Sequence, residues 1–429
     1  MKKKIGRSLT LLSSREPFSQ SNILTGVVFL SSALVLSIEA CSAGSGRQDF
    51  RAWRVELRKD AIAFGIRDDV FETALAGVVP DHTLPDLKTT RSKGDRRGGQ
   101  AEFVRPPQRY LNSKLLARLA AIGRQMWRRH RNVLARIQGE LNVHPAVVLA
   151  IWGRETSFGG YKLPHNAIRA LTTQAQFGRR HEIFRRELLY VLKLVQDGVV
   201  APEKLNSSWA GAIGLTQLMP SEYDELAYDI DRDGRKDIWS PGDALASAAN
   251  QLRKKGWESG KTWGFEIKLP KRLTCALDGP HGAKSIREWI ELGVVRTGNR
   301  HFPGRYHNET AFLFSPAGGY GPVFLILENF MVLKRYNPSD LYALFVGHLA
   351  DRIAGGGDFK TAWLPVRQLR TSAIKDIQQG LQDDGLSISK IDGKIGANTR
   401  SQIGLYQQKY GLKVDCWPTS SLRAAMIRR

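Results

Sequence analysis

Apolar positions along this chain fall into helical stripes over most of its length, and alternate as in strands only in a few short stretches. Phe50, Trp53, Leu57 and Ile62 keep roughly helical spacing, which predicts one or two helices over 50–75. Leu115, Leu119, Ile122 and Met126 line one face of a further helix whose other face is arginine, and that stripe reads as core packing. From 147 to 151 the chain is apolar without a break. Pro145, suited to the first turn of a helix, precedes this run, and Gly159-Gly160 is expected to end it. Residues 183–195 and the small-residue stretch 241–257 read as helices. Residues 263–270 alternate as a strand, and 311–315 and 323–327 read as short strands around 316–322, whereas 271–310 carries little pattern. Past Gly355-Gly-Gly357, Ile374, Ile377 and Leu381 form a helical stripe, 392–396 a tight turn and 399–407 a second helix. The expected class is mainly α, with small β elements.

At 429 residues and 42% apolar composition the chain is an ordinary globular protein, long enough for two or three domains. Its formal net charge of +23 would attract any polyanion, whether nucleic acid, anionic lipid or an acidic wall polymer. Thirteen basic and two acidic side chains lie between Arg91 and Arg136, yet no nucleic-acid motif accompanies them, so no nucleic-acid partner is expected. A basic start up to Arg7 and an uncharged, largely apolar run over 23–38 have the make-up of a signal peptide, and the run is short for a membrane span. Residues 1–43 are therefore expected to direct export to the periplasm. Lipid attachment at Cys41, cleavage after Ala43 and a retained membrane anchor are rival outcomes. Cys275 and Cys416 are then left, free to pair in an oxidising compartment although no sequence feature brings them together.

Candidate chemistry centres on Glu155, near the C-terminal end of the helix predicted from Pro145. A carboxylate is disfavoured by the dipole at that end, and Trp152 and Phe158 are apolar neighbours. Both effects would raise its pKa, as suits a general acid at neutral pH. A single Glu in the last turn of a helix is ordinarily a solvated surface residue; what changes the reading is the surrounding pattern Ala150-Ile-Trp-Gly-Arg-Glu155-Thr-Ser-Phe-Gly-Gly160. This resembles the catalytic segment of the B-type membrane-bound lytic murein transglycosylases, lysozyme-like enzymes that cleave peptidoglycan glycan strands. Gly211, Gly214, Gln217, Met219 and Pro220 fall in register with a further segment of that family, which lines the glycan cleft. Tyr336-Asn337 resembles its closing motif, and Gln100-Ala-Glu-Phe103 ahead of Tyr110-Leu111 is similar to a third.

The resemblance implies a lysozyme-like α+β catalytic domain over 50–355 and, after a linker at 356–369, a small three-helix peptidoglycan-binding module over 370–429. Glu155 would be the catalytic acid and base, with Ser208, Gln217, Ser221, Tyr336 and Asn337 on the substrate. The small residues around Gly211 and Gly214 are expected to let backbone approach a sugar. The implied reaction is non-hydrolytic cleavage of the MurNAc-GlcNAc bond to a 1,6-anhydro product, with no cofactor required; a hydrolytic muramidase and a non-catalytic wall-binding protein are the rivals. Asp229, Asp231, Asp233 and Asp237, with Gly234 at the turn, have the spacing of a calcium loop, although Ser240 stands where a bidentate Glu normally completes the shell. A structural calcium and a plain acidic turn are both open there. Gly355-Gly-Gly357 is expected to be a flexible joint, so that the module supplies wall affinity and no chemistry. A monomer is expected, with peptidoglycan strands as its partner.

Overall fold

Proline at 145 and the apolar run behind it make one helix, Pro145–Thr156, buried on every side as far as Gly153. A helix apolar all round belongs in a core. His144 caps it, with Nδ1 accepting from the Ala146 amide at 3.3 Å. Ser113–Arg129, Pro241–Lys254 and Asp340–Ile353 pack around it and share one hydrophobic cluster with it, so the helical stripes of the sequence converge here. The computed structural model describes residues 50–88 and 105–427; the export segment 1–43 with Cys41, and the 100–103 motif, lie outside the described residues. The chain divides into the units Met1–Asp60 and Ala61–Arg429. In the first, residues 50–60 are helical. The second contains every other feature described below. Among the described residues no helix is long and apolar enough to cross a membrane.

A two-stranded ribbon pairs β1 (His165–Asn166) with β2 (Asn206–Ser207). The larger sheet comprises β3 (Gly264–Lys268), β4 (Gly279–Ser285), β5 (Val295–Arg296), β6 (Thr310–Phe314) and β7 (Val323–Ile326), in the antiparallel order β4-β6-β7-β3-β5. Period-two alternation sends Leu313 and Leu325 to one face, where they meet Ile286 and Trp289, and Phe314, Phe324 and Ile326 to the other, where they join the helical core. Strand β4 lies in the stretch that carried no pattern. Its pairing with β6 shifts between Gly279 and Lys284, and a bulged strand shows no steady alternation.

Three helices, Thr371–Asp383, Ala397–Lys409 and Ser420–Ile427, close around Ile377, Leu381, Ile403, Tyr406 and Leu422 to form the last module. The joint ahead of it differs from the expectation. Glu266 accepts from the Lys360 and Thr361 amides at 2.9 and 2.7 Å, and the Leu364 amide donates to Tyr320 O at 2.8 Å. Phe359 stacks on His348 at 3.7 Å, and the Trp363 ring fills the space a side chain on Gly321 would need. Three glycines mark the start of the linker, but the apolar and hydrogen-bonding residues just after them strap it to the sheet.

The module itself is clamped. Cys416 is disulfide-bonded to Cys275 across 141 residues of sequence. Cys416 takes the left-handed conformation that glycine adopts most readily, with φ +53°. Gln407 Oε1 accepts from the Asp415 and Cys416 amides, and Gly319 donates to Asp415 O at 2.8 Å. Glycines allow the close approach: a Cβ on Gly318 would lie 2.1 Å from Asp415 O, and one on Gly404 2.6 Å from Cys416 Sγ and 3.0 Å from Ala276 Cα. Arg400, 2% exposed, enters the seam and bonds Asp278 Oδ2 at 2.7 Å.

Candidate active site

The helix that carries Glu155 stops at Thr156, ahead of the Gly159-Gly160 pair expected to end it. Ser157, Phe158 and Gly159 then follow in the left-handed region with φ of +50°, +59° and +77°. Two consecutive non-glycine residues there are strained. Packing explains the turn: the Phe158 ring folds back over Gly153, whose Cβ would lie 2.6 Å from it, and meets Trp152 edge to face at 5.6 Å. Thr156 Oγ1 donates to Leu215 O at 2.8 Å and ties the helix end to the 206–218 loop. Glu155 is thus held on a short, over-determined stretch of backbone.

Its carboxylate faces tyrosines. Tyr342 donates to Glu155 Oε1 at 2.5 Å, and Tyr336 stacks on Tyr342 with ring centroids 6.3 Å apart and 7° between planes. Burial, and behind it the charge of Glu155, pushes both hydroxyls well above the ordinary tyrosine range, so they stay protonated. Tyr336 spends its proton on Thr216 O at 2.6 Å, which pins the 206–218 loop a second time. Arg154, next to the acid, donates to Tyr110 Oη at 2.7 Å and lies over the Tyr110 and Phe345 rings. Tyr342 escaped the sequence reading. It sits six residues past Tyr336, in the first turn of the next helix, and that spacing places the two rings together only once the intervening turn is known.

Ser208 and Gln217 bracket the loop. Ser208 Oγ accepts from the Ala212 amide at 3.2 Å, and Gln217, at φ +59°, donates from Nε2 to Gly214 O at 3.1 Å. Gly211 and Gly214 are needed for a different reason from the one expected. Both have positive φ, and a Cβ would strike Leu171 at 2.3 Å or Ile238 O at 2.7 Å, so they let the loop close onto the protein's own interior. Ser221 is engaged by buried Glu187, which accepts from its hydroxyl at 2.8 Å and its amide at 2.9 Å. Its hydroxyl thus anchors the turn after Pro220. Asn337 Oδ1 accepts from the Ser339 amide at 3.1 Å, and Ser339 Oγ accepts from the Tyr342 amide at 3.2 Å, so Tyr336, Asn337 and Tyr342 belong to one tightly bonded turn.

In the acidic loop, carboxylate oxygens of Asp229, Asp231 and Asp243 come within 4.8 Å of one another. Asp233 and Asp237 stand outside that group, their Oδ1 atoms accepting from the Arg235 and Trp239 amides. Asp243, absent from the sequence expectation, is buried in the first turn of Pro241–Lys254, three residues past Ser240. Burial, and the charges of Asp231 and Asp229, push its carboxyl above the usual range against the Ile230 and Asp237 amides that donate to it.

Residues 49–351 match the Transglycosylase SLT domain family, and 370–426 match a peptidoglycan binding domain. Over 234 residues the chain is 29% identical to membrane-bound lytic murein transglycosylase B of Escherichia coli (strain K12), covering 53% of this chain and 62% of that protein, less than two thirds of its length. SltB3 from Pseudomonas aeruginosa, solved in complex with NAG-anhNAM-pentapeptide, aligns with a TM-score of 0.80 at 38% identity over 88% of this chain and 99% of its own. The Escherichia coli lytic transglycosylase Slt35 in complex with calcium aligns with a TM-score of 0.50 at 28% identity over 58% of this chain and 78% of its own. The chain belongs to the Transglycosylase SLT domain family and carries a peptidoglycan-binding domain after the matched region.

Proposed function

We propose that this protein cleaves the β-1,4 bond between MurNAc and GlcNAc of peptidoglycan without adding water, in cell-wall turnover. Glu155 protonates the glycosidic oxygen as the bond to C1 breaks; its carboxylate then removes the proton of the muramic C6 hydroxyl, whose oxygen closes on C1 as a 1,6-anhydro ring. The observation that carries this reading is the hydrogen bond to the Glu155 carboxylate from Tyr342, whose hydroxyl is kept well above the ordinary tyrosine range by burial and the Glu155 charge. Hydrolysis by an ordinary glycosidase uses two carboxylates flanking the bond. Glu222, whose charge also reaches Tyr336, is ion-paired with Lys255 at 3.6 Å. Ser208, Gln217, Tyr336 and Asn337 are the substrate contacts in this reading, and Ser221 supports them from the turn behind. Mass spectrometry of peptidoglycan after incubation is the test: anhydro ends are lighter by one water than the reducing ends a muramidase leaves, and a non-catalytic binding protein releases neither.

The acidic loop is read as a structural calcium site. Its donors are hard oxygens, as calcium prefers, and buried Asp243 supplies the carboxylate that Ser240 lacks. Calcium there would neutralise three crowded carboxylates and take no part in the chemistry. The protein is placed in the periplasm, exported and attached or released by its first 43 residues; the Cys275–Cys416 disulfide supports an oxidising compartment.

A further inference from the structure

Asp278 alone would balance the charge of Arg400, yet the guanidinium reaches further. Its Nη2 stands 3.3 Å from Asp340 Oδ2, while Nη1 donates to Ile395 O at 2.9 Å and the plane lies over Phe314. Asp340 is the first residue of the Asp340–Ile353 helix, two before Tyr342. Its other oxygen takes Lys334 Nζ at 2.7 Å, and Lys334 lies two residues before Tyr336 on the preceding helix. Asp340 therefore ties together the two helix ends that carry the tyrosines facing Glu155. Burial would push its carboxyl up, but Arg400 and Lys334 outweigh this and hold it below the usual range, so it is charged at any pH where the enzyme works.

We propose that Arg400, although it belongs to the peptidoglycan-binding module, is a positioning residue of the active site: through Asp340 it fixes the turn that sets Tyr342 on Glu155 with Tyr336 stacked beside it. The module thereby contributes to chemistry as well as to wall affinity. A guanidinium presents its N–H donors in a rigid planar fork that engages Asp278 and Asp340 at once; a lysine ammonium keeps the charge without that fixed geometry, and an apolar side chain of the same length supplies neither. The inference rests on the transglycosylase reading above.

The test compares the full-length parent with Arg400→Met, Arg400→Lys, Asp340→Asn and the Arg400→Met/Asp340→Asn double variant, on short soluble glycans that need no anchoring to the wall. Misplacement of a catalytic group by about 1 Å costs on the order of a hundredfold. The expected result is a kcat lowered by about 10- to 100-fold in Arg400→Met and Asp340→Asn with KM within about threefold of the parent. Arg400→Lys should recover part of the loss, and the double variant should be no worse than the poorer single one. Should Arg400→Met fail to fold, Asp340→Asn decides alone, because it leaves Arg400 paired with Asp278. A folded Asp340→Asn protein with parental kcat, or one whose defect lies wholly in KM, overturns the inference. A parent that releases no anhydro product overturns the functional reading and this inference with it.

Discussion

Removing one oxygen tests the geometry around Glu155 most directly. In Tyr342→Phe the ring is kept, so its stack on Tyr336 and its packing in the core survive, and only the hydroxyl that donates to Glu155 Oε1 at 2.5 Å is lost. That hydroxyl is protonated throughout the working range, so the substitution removes a donor at every pH. A hydrogen bond to a charged group is worth about 1.5–3 kcal/mol, and about 1.4 kcal/mol is tenfold in rate. The bond is strongest when Glu155 is ionised, a state approached as its proton leaves in the transition state, so the loss should fall on kcat and spare KM. The expected drop is about 10- to 150-fold in the initial rate of anhydro-muropeptide release from a soluble glycan, followed by chromatography with mass detection. A folded Tyr342→Phe enzyme within about threefold of the parent kcat would refute the role given to this bond.

Glu155→Gln keeps an oxygen for Tyr342 to bond but has neither a transferable proton nor a basic carboxylate. Turnover should fall by at least roughly a thousandfold while the fold and glycan binding persist, and a rate above a few per cent of the parent would remove Glu155 from the mechanism. Calcium at one hundred times its Kd should stabilise the protein by about 2.7 kcal/mol relative to chelator, and Asp243→Asn should abolish the gain; coincident melting curves with and without the ion would end the proposal. Acid should destabilise the protein through His348, whose burial lowers its pKa to about 4 despite the neighbouring Asp358. Between pH 6.5 and 4 the unfolded chain binds the proton that folded His348 refuses. Stability should therefore fall with pH across this window, by up to about 3 kcal/mol. A His348→Gln variant whose melting temperature follows the parent's pH slope would show that another group is responsible.

What could be read in the chain were features carried by neighbours in sequence. The buried helix before Glu155, strands β3, β6 and β7 and the module's first two helices all announce themselves locally, and the segments around Gln217 and Tyr336 show their likeness to a known family in the same way. What escaped depends on distant partners. Tyr342 acquires its role from a carboxylate 187 residues away. Ser221 is expected from its register to meet the sugar, and only the fold shows that its hydroxyl donates to Glu187, 34 residues earlier. Gly211 and Gly214 are expected from the sequence to let backbone approach a sugar, and only the fold shows that Leu171 and Ile238 stand against them. The glycines at 355–357 misled for the same reason: their freedom is local, and the contacts that remove it are made by Glu266 and Tyr320.

That strapped linker changes how the enzyme must meet the wall. A binding module on a loose tether holds the polymer at one point while the cleft sweeps a neighbourhood as wide as the tether allows. Here Glu266, Tyr320 and the Cys275–Cys416 bond leave no slack, and the two binding surfaces keep one separation, as the jaws of a locked caliper do. Avidity then accrues only where the wall offers both ligands at that spacing. Loose strands and cross-linked wall of identical chemistry would thus be told apart by distance.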